Sequence, residues 1–120
     1  MPNATPEEIE TFLEQVRRII HKSFETRRND DYKKTLLALG FNKSSVINEI
    51  STITVENYSE GPKPEIGSIN DVWIFGKTIQ NQEIYIKLKI IGMNNRAEEI
   101  DTLYCLSFHF AEKCLVYPYK

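Results

Sequence analysis

Asp71-Val-Trp-Ile-Phe-Gly-Lys-Thr-Ile79, then Gln80-Asn-Gln82, then Glu83-Ile-Tyr-Ile-Lys-Leu-Lys-Ile-Ile91 is the stretch that decides the fold. Two runs rich in β-branched and aromatic residues flank a short polar connection, which is the signal of a β-hairpin. The second run alternates strictly. Ile84, Ile86, Leu88 and Ile90 point one way, and Glu83, Tyr85, Lys87 and Lys89 the other. Burying each of the four aliphatics is worth roughly 2 kcal/mol, far more than a row of surface lysines supplies. The greasy face must therefore turn inward. A third run, Leu103 to Phe110, sets Tyr104, Leu106, Phe108 and Phe110 against Leu103, Cys105, Ser107 and His109. With Leu106 and Phe108 inward, Ser107 and His109 join Tyr85 and Lys87 on the open face.

Upstream the period changes. Thr5-Pro6-Glu7-Glu8 opens a helix, with Thr5 as cap, Pro6 in the first turn and Glu8 closing a capping box. Ile9, Phe12, Leu13, Val16, Ile19 and Ile20 then recur at helical spacing, and the helix is expected to end near Phe24. A second helix is expected from Asn29 or Asp30 to Leu39, stopped by Gly40. A third fits Lys43 to Ser51, capped by Asn42 or Ser44. Asn57 to Ser68, with two prolines and two glycines, reads as a loop. Val72 to Ile79 and Glu83 to Ile91 form the hairpin, and Asn81 is best able to take positive φ in its turn. Gly92 to Thr102 reads as a long polar connection. The aromatic tail from Leu115 to Lys120 is expected to cover a sheet edge or an end of the core. The expected fold class is α+β, with N-terminal helices packed on one face of a small antiparallel sheet. One domain would span 1–120, helical over 1–51, sheet over 71–110 and tail over 111–120.

Composition bounds the function. The chain has 120 residues, 41% hydrophobic and 27% charged, ordinary for one globular domain. It has no apolar run of membrane-spanning length and no signal-peptide pattern at Met1-Pro-Asn-Ala-Thr-Pro, so a cytoplasmic protein without membrane contact is expected. Cys105 and Cys114 match no zinc spacing and make no disulfide framework, which suits a reducing compartment. The net charge of −2 argues against extended nonspecific nucleic-acid binding. It leaves room for a small basic site, and Lys77, Lys87 and Lys89 face only Glu83 in the hairpin.

The chemistry open to such a site is limited. His21 and His109 lie in different elements, and no Cys/His/Asp spacing suits a metal. No phosphate-cradling glycine loop and no Gly-x-Ser-x-Gly occur. A Tyr/Lys/His set remains, with no cofactor and no metal expected. Such a set can cleave RNA, whose own 2′-hydroxyl attacks the adjacent phosphate. Histidine suits proton transfer near neutral pH. Lysine neutralises the charge growing on phosphorus. Tyrosine donates a hydrogen bond or stacks on a base. The plainer reading of an alternating strand face is a solvated side of the sheet. On that reading His109 is structural, Glu112 and Lys63 lie at the surface, and Trp73 belongs to the core.

Val72-Trp73-Ile74-Phe75-Gly76-Lys77 and Glu83-Ile84-Tyr85-Ile86-Lys87-Leu88-Lys89 resemble the MqsR family of type II toxin–antitoxin toxins. So do Tyr58-Ser59-Glu60-Gly61-Pro62 before them and Ser107-Phe108-His109, Ala111-Glu112, Leu115 and Tyr117-Pro118 after. The likeness runs from about Leu36 to the C-terminus. It implies a RelE-like fold, metal-independent endoribonuclease cleavage of mRNA that arrests translation and growth, and a cognate antitoxin encoded in the same operon. The family's Tyr-x-Lys strand falls on Tyr85 and Lys87, and its basic residue after Ser-Phe falls on His109, where the best-known member has lysine. The chain departs from that member at Ile74, where it has glutamine, and at Ser59, where it has lysine. Lys63 or Lys77 would then substitute for that lysine.

On this reading Tyr85 and His109 handle protons and base contact, and Lys87 holds the scissile phosphate. Lys77 and Lys89 contact further phosphates, and Glu112 orients His109. The alternative is a non-catalytic RNA- or protein-binding module using the same face.

Overall fold

A computed structural model describes residues 3–65, 67, 70–92 and 101–120. Helix α1 (Pro6–Ile19) starts as its sequence dictates. The Thr5 hydroxyl accepts from the Glu8 N–H at 3.1 Å, and the Glu8 carboxylate accepts from the Thr5 N–H at 2.8 Å. The helix buries Ile9, Phe12, Leu13, Val16 and Ile19. It stops at Ile19, short of the expected end near Phe24, and the next residues form strand β1 (Phe24–Thr26). Helix α2 (Asp30–Leu39) is capped by the Asn29 side chain and ends at Gly40, which takes the left-handed φ of 71°. Helix α3 (Lys43–Ser51) is capped by Asn42. A short 3₁₀ turn leads into strand β2 (Tyr58–Lys63), followed by β3 (Val72–Ile79), β4 (Gln82–Ile91) and β5 (Thr102–Phe110).

The sheet has five strands in the order β1-β5-β4-β3-β2, and it is mixed. The expected antiparallel trio β3, β4 and β5 forms its centre. Each side gains a strand. β1 pairs parallel to β5, and β2, inside the stretch read as a loop, pairs antiparallel to β3 with two register shifts. Pro62 is tolerated because β2 is an edge. At Gly61, φ is 110°, and a Cβ would sit 2.6 Å from the Val72 carbonyl oxygen, so only glycine fits. The β3–β4 turn places Gln80 at φ 52° and Asn81 at φ 66°. Positive φ at both central residues matches the twist of a tight hairpin.

The pairing of β4 with β5 carries a bulge. Lys87 faces Ser107, but Leu88 faces Cys105, so Leu106 is the extra residue. Strict alternation would have put Leu103 and Cys105 on the open face. The bulge shifts their phase, and they join Phe108 in the core while Tyr104 moves to the open side with Lys89. Ile84, Ile86, Leu88, Leu103, Cys105 and Phe108 are completely buried, in one cluster with residues of all three helices. Phe12 of α1 stacks on Trp73 at 4.4 Å.

The C-terminal tail crosses the open face at Gly76. A Cβ there would collide with the Tyr117 hydroxyl and Leu115 Cδ1. Tyr117 donates to the Glu83 carboxylate at 2.6 Å, and Tyr119 to the Ala4 carbonyl at 2.6 Å. The tail thus lies over β3, and the β4–β5 half of the face stays open. The connection expected over Gly92 to Thr102 lies largely outside the described residues. Among the described residues no helix is long and apolar enough to cross a membrane.

Two outcomes follow from this core. Phe108→Ala should lower unfolding stability by about 3–5 kcal/mol in denaturant titration. Leu37→Ala, at a side chain 85% exposed, should change it by less than about 0.5 kcal/mol. Burial also pushes the Cys105 thiol from 9.0 up to about 12. A raised thiol pKa gives stability that is complete below pH 9 and lost as pH climbs toward 12. Stability measured across that window should fall, buried tyrosines such as Tyr85 adding to the loss above pH 10, and Cys105→Ala should make the fall shallower by up to one proton.

Candidate functional site

The register of the central strands builds the site in two cross-strand rows. Gly76, Tyr85 and His109 form one row, and Ile74, Lys87 and Ser107 the next. Cross-strand neighbours share a face, so Tyr85 and His109 meet directly. Their rings stack with centroids 5.3 Å apart and planes 14° from parallel. Lys87 Nζ lies 6.0 Å from the Tyr85 ring centroid. A cleft of about 730 Å³ opens over these groups. Tyr85, Lys87, Ser107 and His109 form its floor, Glu60 of β2 stands at one side, and residues 112–115 form the other.

His109 Nδ1 lies 2.9 Å from the Phe110 carbonyl oxygen. A carbonyl only accepts, so Nδ1 carries the proton and donates. That leaves the Nε2 lone pair as the basic site of the neutral ring. The orienting partner expected in Glu112 is thus the backbone of the next residue. Glu112 lines the same cleft.

Tyr85 is half-buried, and burial raises its phenol pKa above 10, helped by the carboxylates of Glu60 and Glu65. At neutral pH it holds its proton and acts as a hydrogen-bond donor rather than a base. Lys87 Nζ is paired with the Glu65 carboxylate.

The other lysines separate. Lys89 lies on the same face as Lys87, its Nζ 5.7 Å from the Tyr104 ring centroid, outside the cleft lining. Lys77 is the cross-strand partner of Ile84 and so falls on the helix side of the sheet. Its Nζ meets the Glu49 carboxylate and the Glu49 carbonyl, each at 2.9 Å, at the C-terminal end of α3. It cannot contact a ligand in the cleft, contrary to the sequence-based expectation. Lys63 ends β2 and pairs with Glu60 at 2.7 Å. It touches the site only through that carboxylate.

Glu60 and Glu65 carry no sequence signal of a place at the site. Both lie in the stretch read as a loop, and Glu65 reaches Lys87 across 22 residues with no local pattern to announce it. Among the described residues, no group of three or more histidine, cysteine or acidic residues could hold a metal ion.

No protein-family model, curated protein or solved structure matches this chain. The functional reading therefore rests on these residues.

The raised phenol gives a direct check. The absorbance change at alkaline pH that Tyr85→Phe removes should have its midpoint above 10. A midpoint at or below 10 would mean that Tyr85 is not the buried donor described.

Proposed function

We propose that the open face of β4 and β5 is the active site of a metal-independent endoribonuclease, an mRNA interferase toxin of a type II toxin–antitoxin system with a RelE-like fold. The observation that carries the reading is the stacked Tyr85–His109 pair, with His109 Nδ1 committed to a backbone carbonyl beside the Lys87 ammonium.

His109 Nε2 takes the proton from a ribose 2′-hydroxyl. The 2′-oxygen attacks the adjacent phosphorus, and the bond from phosphorus to the 5′-oxygen breaks. Lys87 and the Tyr85 hydroxyl stabilise the charge on the phosphoryl oxygens. The imidazolium returns its proton to the departing 5′-oxygen. A 2′,3′-cyclic phosphate and a 5′-hydroxyl remain. Lys89, further along the same face, would hold a flanking phosphate. Lys63 and Lys77 have no part in it. The resemblance to the MqsR family supports mRNA as substrate, action in the cytoplasm and a cognate antitoxin from the same operon.

A second reading is a module that binds RNA or protein without cutting it. The carboxylates of Glu60, Glu65 and Glu112 in or beside the cleft favour it.

Purified protein should cleave single-stranded RNA in excess EDTA. His109→Ala and Lys87→Ala should each lose ~10²–10⁴-fold in rate while staying folded. Lys77→Ala should keep the parent rate and lose only stability. Equal cleavage by the parent and a Tyr85→Phe/His109→Ala double variant would sink the assignment. Binding without new RNA ends would favour the module.

A further inference from the structure

Lys87 is largely withdrawn from water. Its side chain is 18% exposed, and its Nζ is paired with the Glu65 carboxylate, itself 29% exposed. A largely buried ammonium needs an anion beside it, and removing that partner is costly. Glu65 supplies the anion from the connection between β2 and β3. The groups around this contact are those of the cleft floor. Ser107 is the cross-strand partner of Lys87, and Tyr85 and His109 occupy the next row. Tyr85 and Ser107 bring hydroxyl donors to the same place, and Glu65 is close enough to Tyr85 to help raise its pKa.

A carboxylate and a phosphodiester are alike in what Lys87 would sense. Each is a monoanion that spreads one charge over two oxygens and accepts hydrogen bonds from ammonium and hydroxyl donors. We propose that Glu65 occupies the seat of a nucleic-acid phosphodiester, as a resident anion that the substrate phosphate displaces from Lys87. The identity of that ligand rests on the ribonuclease reading. Charge at Lys87 is conserved through the exchange, so the ammonium is never left unpaired. Glu60, at the side of the cleft, pairs with Lys63 instead, in a more exposed contact. Glu65 therefore sets a threshold for binding. Affinity is reduced by the fraction of molecules in which Lys87 is already occupied.

The test uses dimethyl phosphate, a simple diester monoanion, titrated into the full-length protein while the His109 ring resonances are followed by NMR. Glu65→Gln keeps the size of the side chain and removes its charge, and should bind dimethyl phosphate about three- to tenfold tighter than the parent. Glu65→Ala should show the same gain. Adding Lys87→Ala to Glu65→Gln should abolish it. Unchanged or weaker binding by both Glu65 variants would overturn the proposal, as would a gain that survives without Lys87. RNA cleavage measured on the same preparations separates the two claims. Tighter phosphate binding with no cleavage by any variant keeps the seat and removes the ribonuclease. Cleavage with unchanged phosphate binding does the reverse.

Discussion

Everything in this molecule depends on the two unlike faces of β4. Ile84, Ile86 and Leu88 are completely buried, worth roughly 2 kcal/mol apiece before chain entropy is set against them. The helices must lie on that side, and the alternation of a strand then drives Tyr85, Lys87 and Lys89 to the other. The bulge at Leu106 extends the same constraint to β5. A one-residue change of phase moves every later side chain to the opposite face. Without the bulge, β5 could bury Phe108 or the pair Leu103 and Cys105, but not all three. With it, the core keeps all of them, and Ser107 and His109 still fall beside Lys87 and Tyr85.

The open face is then divided by the C-terminal tail. Gly76 lacks the Cβ that would collide with Leu115 and Tyr117, so the tail can lie against β3. The Tyr117 hydroxyl holds it there through Glu83. What stays uncovered is the strip of β4 and β5 that carries the Tyr85–His109 stack. Three lysines named from sequence each have a carboxylate partner, Lys63 with Glu60, Lys77 with Glu49 and Lys87 with Glu65. Only Lys87 lies in the cleft. Ion pairs withdrawn from water recover their desolvation cost poorly. Lys77–Glu49 is withdrawn from water to the same degree, so what sets Lys87–Glu65 apart is its place on the open face beside Tyr85 and Ser107.

The parts of this fold that were legible in the sequence obey local rules. Thr5 with Glu8, Asn29, Gly40 and Asn42 mark helix ends through hydrogen bonds to residues three or four away, and the alternation of β4 needs no distant partner. What was hidden depends on distant contacts. β1 has three residues, too few to show a period, and it is a strand because β5, 79 positions later, pairs with it. Gly61 and Pro62 spell a turn by local chemistry, yet β3 accepts them at its edge. β3 is apolar on both faces, with Ile74 fully buried on the Lys87 side, so its phase could not be read and Lys77 landed on the helix side. In the site, Tyr85, Lys87 and His109 followed from strand phase alone. Glu60 and Glu65 did not, because tertiary structure brings them there from a segment without a pattern.

We propose that the β4–β5 face cleaves RNA through the substrate's own 2′-hydroxyl. The most direct measurement is mass spectrometry of the ends left on a defined RNA after incubation in EDTA, beside the same oligonucleotide with a 2′-deoxy residue at the cut. The expected products are a 2′,3′-cyclic phosphate, or the 3′-phosphate it hydrolyses to, and a 5′-hydroxyl, with no cut at the deoxy position. A 5′-phosphate paired with a 3′-hydroxyl, or cleavage of the deoxy position, would contradict it.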